Sequence, residues 1–110
     1  LDEHEIQLRQ EFENDVKSNI EKSKAIGINP SPYLLERRSF DGGGVEFVKR
    51  ILHDEINSGD MKSGFKKLEE HIPHVVNLSF EYLASRQKYE KLFNDQEVTF
   101  CKKLMAKYNL

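Results

Sequence analysis

The chain has 110 residues, 33% of them charged and 37% hydrophobic, and a formal net charge of −2. That size suits one domain whose core is stable without staples, and the near-neutral balance gives no bulk electrostatic pull towards nucleic acid or an anionic membrane. The single cysteine, Cys101, excludes an internal disulfide and the paired spacing of zinc ribbons and fits a reducing, cytoplasmic setting, while no apolar run approaches the length of a membrane span.

Residues 2–26 predict a long amphipathic helix. Ile6, Leu8, Phe12, Val16, Ile20 and Ile26 share one face. Asp2, Glu3 and Glu5 stand at its start and Lys22 and Lys24 near its end, as the helix dipole favours. Gly27 is placed to end it as the C′ residue. The opening residues do not read as a signal peptide, and Leu1 in place of an initiator methionine fits a fragment or a processed chain. The connector Ile28-Asn29-Pro30-Ser31-Pro32 leads to a short helix ending at about Phe40, with Ser31 as cap and Pro32 at its first position.

Phe40 to Ile56 is the stretch around which the chain is organised. It reads as a glycine hinge, Gly42-Gly43-Gly44, feeding a helix. At about 100° per residue, Val45, Phe47, Val48, Ile51, Leu52 and Ile56 cover roughly half the circumference. An arc that wide marks a central helix touching neighbours on two sides. Three glycines also resemble a phosphate-cradling loop. No Lys-Ser or Lys-Thr follows them and no apolar strand precedes them, so a structural turn is the reading kept.

Asn57-Ser58-Gly59-Asp60 breaks the chain. Ser63 is expected to cap a short segment to His71 that turns Phe65 and Leu68 inward. A buried helix is expected from Pro73 or Asn77 to Ala84, because no second strand exists to pair with the β-favouring Val75-Val76. Arg86 to Lys91 reads as a polar, partly helical connection. Asn94-Asp95-Gln96-Glu97 is a capping box. The last helix carries Val98, Phe100, Cys101, Leu104, Met105 and Tyr108 on one face. The fold expected is therefore a single all-α domain, a compact bundle of five or six helices, with a core of Phe47, Ile51, Leu52, Phe65, Leu68, Phe80, Leu83, Leu104 and Tyr108.

Gly27-Ile28-Asn29-Pro30, Gly43-Gly44-Val45-Glu46, Gly64-Phe65-Lys66-Lys67-Leu68, Asn77-Leu78-Ser79-Phe80-Glu81, Leu92-Phe93-Asn94-Asp95-Gln96-Glu97 and Leu104 with Tyr108 follow one another in that order. The order resembles a recurrent small bacterial domain family of uncharacterised function, over roughly Phe12 to the C-terminus. The resemblance implies a compact helical domain and no activity. Asn77 stands where the family pattern often has Asp, and Glu69 where it often has Trp.

No catalytic constellation emerges. His53-Asp54-Glu55 and Glu69-Glu70-His71 with His74 contain metal-ligand types, but Pro73 interrupts the helical spacing of His71 and His74 and the HExxH pattern is missing, so a solvated polar cluster is expected. Cys101, on an apolar face, reads as a small core residue.

These features point to a protein–protein interaction or regulatory accessory domain, of bacterial or phage origin, with neither catalysis nor a cofactor of its own. The partner surface, for another protein or a second copy, is expected on the N-terminal helix at Ile6, Leu8 and Glu11. Its acidic border of Glu3, Glu11, Glu13 and Asp15 suits a basic partner rim. The alternative is a nucleic-acid-binding domain using Arg37, Arg38, Lys49, Arg50, Lys66 and Lys67, if these basic pairs converge on one surface. A small metal-dependent enzyme is the third reading.

Overall fold

The computed structural model describes residues 2–29 and 43–110. The helix expected after Ser31 and Pro32 lies outside the described residues. The fold is an all-α bundle; the described residues form five α-helices and two 3₁₀ turns, and no strand occurs among them.

Helix α1 spans Glu3–Ala25. The Asp2 side chain accepts a hydrogen bond from the Glu5 amide at 2.7 Å, and Glu3 and Glu5 occupy the first turn. At the other end Gly27 has φ 85°. Its N–H donates to Lys24 O at 3.0 Å and the Ile28 N–H donates to Ser23 O at 2.8 Å. These two bonds are the Schellman pair that satisfies the last carbonyls. Leu8, Phe12, Val16 and Ile20 are buried, while Ile6 and Ile26 on the same stripe are 54% and 41% exposed. A helix of this length runs about 34 Å, and its buried positions, from Leu8 to Ser23, stop short of both ends.

Helix α2 spans Gly44–Ser58 and buries Val45, Phe47, Val48, Ile51 and Leu52, the broad arc expected of a central helix. Gly43 caps it with φ 134° and ψ 173°, a region essentially restricted to glycine. Gly44 serves a different need. A Cβ there would collide with the Glu13 carboxyl group and come within 3.4 Å of Glu13 Cα, so its absence lets α2 begin against α1. Gly59, at φ 76°, ends α2 by donating its N–H to Glu55 O at 2.9 Å.

Helix α3 spans Ser63–Glu70 and turns Phe65 and Leu68 inward. Its cap differs from expectation. Lys62 is the capping residue, without a side-chain bond, and Ser63 is already helical. The Lys62 N–H is held by Glu55 Oε2 at 3.0 Å, which fixes where the chain enters the helix. The buried helix expected up to Ala84 is also shorter. A 3₁₀ turn covers Val76–Leu78, and α4 begins only at Phe80 and ends at Ser85. Ser79 resets the start, its hydroxyl accepting from the Tyr82 N–H at 3.0 Å.

The connection expected to be polar is a second 3₁₀ turn, Gln87–Leu92. It drives Tyr89 fully into the core, edge-on to Phe12 at 4.9 Å, with its hydroxyl donating to Asp15. Helix α5 spans Asp95–Ala106 and opens on the expected capping box. Asn94 Oδ1 accepts from the Glu97 N–H and Glu97 Oε1 accepts from the Asn94 N–H, both at 2.8 Å.

The main core joins α1, α2 and α4 to Tyr89, Leu92, Phe93 and Cys101, with Phe12 also edge-on to Phe93 at 5.4 Å. A smaller cluster of Phe65, Val76, Leu104 and Met105 closes the α3 end. Of the residues expected in the core, Phe80 and Tyr108 are only half-buried. The Tyr108 ring packs on Phe65 and His74 while its hydroxyl reaches Glu69 at the surface, as an amphipathic tyrosine does.

Candidate functional site

Among the described residues, two places stand out from an ordinary solvated surface over a packed core. One is a cleft of about 300 Å³ where α1 and α2 both begin. Ile6 and Val45 supply its apolar surface, and Arg9, Gln10, Glu13 and Glu46 its polar walls. Arg9 Nη1 donates to Glu46 Oε1 at 3.3 Å, which lays the arginine stem across the cleft. Arg9 Nε is buried and has no hydrogen-bond partner. An unpaired buried donor destabilises the free protein and rewards an acceptor that reaches it. Asp2, Glu3 and Glu46 are exposed around this end, with Glu5 half-buried, so its rim is acidic.

The other place is internal. Glu55 on α2 and Glu81 on α4 are 1% and 2% exposed. Glu55 Oε2 accepts the Lys62 N–H, whereas Glu55 Oε1 is buried and receives no N–H. The side chain within hydrogen-bonding reach of Glu55 is the Glu81 carboxyl. Two carboxylates cannot hydrogen-bond each other, so one carries a proton. Burial pushes both acids above the ordinary carboxylate range, Glu81 further, and the charge of Glu55 adds to the effect on Glu81. Glu81 is therefore the donor and Glu55 the acceptor. Glu81, Ser79 and Lys62 also border a partly open apolar cavity of about 70 Å³ lined by Ile20, Ile51, Phe65, Leu68 and Phe80. The buried Cys101 thiol is held protonated first by its own desolvation and then by the negative charge that the surrounding acids, Glu55 and Glu97 among them, place near it.

The residues singled out in the sequence fall in different settings. Ile6 is exposed in the cleft, but Leu8 is 8% exposed and belongs to the main core. The two positions are about 200° apart around the helix axis, so Leu8 faces the packed body while Ile6 points away from it. Glu11 is half-buried with its carboxylate 3.6 Å from Lys88 Nζ, and Asp15 is engaged by Tyr89. The acidic border thus moves from Glu11 and Asp15 to the residues at the very start of α1 and α2.

Among the basic pairs, Arg37 and Arg38 lie outside the described residues. Lys49 Nζ is 2.9 Å from Glu97 Oε1 and lies 5.3 Å above the Phe93 ring, which ties it to α5. Arg50 on α2 and Lys66 and Lys67 on α3 are exposed. Of the expected solvated cluster, His53 and Asp54 are exposed but Glu55 is buried, since it continues the apolar arc of Ile51 and Leu52. His71 Nδ1 lies 2.8 Å from Pro73 O and His74 packs on Tyr108. No group of His, Cys, Asp or Glu among the described residues is arranged to hold a metal ion, and no helix among them is long and apolar enough to cross a membrane. No protein-family model, no curated protein and no solved structure matches the chain.

Proposed function

We propose that the chain is a protein-interaction or regulatory accessory domain, of the bacterial kind its ordered motifs resemble, and that it binds its partner at the cleft between the starts of α1 and α2. The observation that carries this reading is Ile6, 54% exposed beside the unpaired Arg9 Nε in a cleft with an acidic rim. An apolar anchor, an unmet donor and a charged border together define what fits: a protein segment with one apolar side chain for Ile6 and Val45, a carbonyl for Arg9, and flanking Lys or Arg for Glu3 and Glu46. A second copy fits less well. A two-fold contact would face one acidic rim with another, and like charges across an interface are unfavourable.

A photo-crosslinking residue at position 6, used in the native host, tests this reading. The expected product joins position 6 to a different protein, at a segment where Lys or Arg flanks an apolar residue. A product with a second copy of this chain, or with an acidic segment, would overturn it.

A further inference from the structure

The Glu55–Glu81 pair lies away from the cleft and has no part in partner binding there. Its placement is unusual for a structural contact. Two acids meet at the joint of α2 and α4, both almost wholly buried, and no buried cation closes on Glu81 among the described residues. The pair supplies the polar link at this joint, beside apolar contacts such as Phe47 edge-on to Phe80 at 5.5 Å. Glu81 bridges α4 to Glu55 on α2, and Glu55 holds the Lys62 N–H where the chain enters α3. The same elements wall the apolar cavity. We infer that the pair is a proton-operated latch: one shared proton clasps α4 and the start of α3 to α2, and its loss releases them and opens the apolar cavity.

The charges around the joint favour this behaviour. On α2, Asp54 adds negative charge near Glu55, and its partner is Lys62 Nζ, 3.1 Å away and outside the acid pair. On α5, Glu97 and the un-ionised Cys101 face the same interior, and Lys49, a cation beside them, is bound to Glu97. α1 contributes Ile20 and Ser23 to the cavity wall. Removing the shared proton therefore leaves two buried negative charges with the Lys62 N–H and the more distant Lys62 ammonium as compensation.

The direction of the pH effect follows. Both acids hold their protons more tightly in the folded chain than in the unfolded chain, whose ordinary value is 4.5. The clasp is complete below that value and weakens as pH rises towards the folded values, by up to about tenfold in the opening equilibrium per pH unit for one linked proton. Glu81→Gln keeps the shape and supplies a permanent N–H to Glu55.

Hydrogen exchange, expressed as protection relative to the intrinsic rate at each pH, reads the opening directly. In the wild-type chain, protection of Tyr82 to Ser85 and of Lys66 to Leu68 should fall with rising pH from 5 to 8, while that of α5 stays level. In Glu81→Gln the same amides should keep constant protection. Glu55→Gln, which also removes one charge and can still accept the Lys62 N–H, serves as the second variant and should flatten the profile as well. Protection independent of pH in the wild type, a uniform fall across all helices, or an equal fall in both variants would overturn the latch.

Discussion

Leu8 and Ile6 stand two residues apart and should respond to truncation in opposite ways. Leu8 is 8% exposed in the main core with Phe12 and Val16, whereas Ile6 is 54% exposed beyond the packed body. Leu→Ala in a core costs roughly 2–5 kcal/mol. Leu8 lies near the edge of its cluster, where the site can partly collapse, so about 2–3 kcal/mol is the expected loss. With a urea dependence of about 1.5 kcal/mol per molar for a chain of this size, the midpoint should drop by roughly 1.3–2 M. Ile6→Ala should move the stability by no more than about 0.5 kcal/mol. Ile6→Asp should also be tolerated, since an acid near a helix N-terminus is favoured by the dipole. Urea unfolding followed by far-ultraviolet circular dichroism measures all three. A loss below about 0.5 kcal/mol for Leu8→Ala, or above about 1 kcal/mol for Ile6→Ala, would refute this division of α1 into core and surface.

Two glycines should respond with opposite signs. Gly43→Ala forces an alanine to φ 134° and ψ 173° and should destabilise by about 1–3 kcal/mol. Gly64→Ala adds a Cβ that meets nothing within 4 Å inside α3 and should stabilise by about 0.4–1 kcal/mol; denaturant midpoints decide both. Asn94→Ala removes one arm of the α5 capping box and should cost about 0.5–2 kcal/mol, with the loss read from thermal unfolding.

Much of the fold was legible because its signals are local. The alternation of apolar and charged residues places α1, α2 and α5, and the caps at Gly27 and Asn94 are short-range chemistry written in adjacent residues. Where reading failed, distant partners decided. Ser63 is a good cap in isolation, but Glu55 claims the amide before it. Tyr89 sits in a polar run, and only the return of the chain to Phe12 and Asp15 makes it a core residue. Glu55 could have been suspected, since one helical turn after Ile51 it falls on the apolar arc of α2. Its partner Glu81, between Phe80 and Tyr82, carried a fainter signal of the same kind, and their meeting depends on how α4 docks. The cleft was half legible: the apolar stripe reaching back to Ile6 was visible, but the depth at which the body stops covering it was not.

The claim that the α1–α2 cleft binds a protein partner is tested most directly by titrating the partner captured at position 6 against wild type, Ile6→Asp and Ile72→Asp. Ile72 is 93% exposed and lies outside the cleft lining, so it controls for exposed apolar surface in general. Ile6→Asp should weaken binding by at least about tenfold, and Ile72→Asp should leave it unchanged. Equal affinity for wild type and Ile6→Asp, with loss in Ile72→Asp, would contradict the account and move the interface to the far end of the bundle.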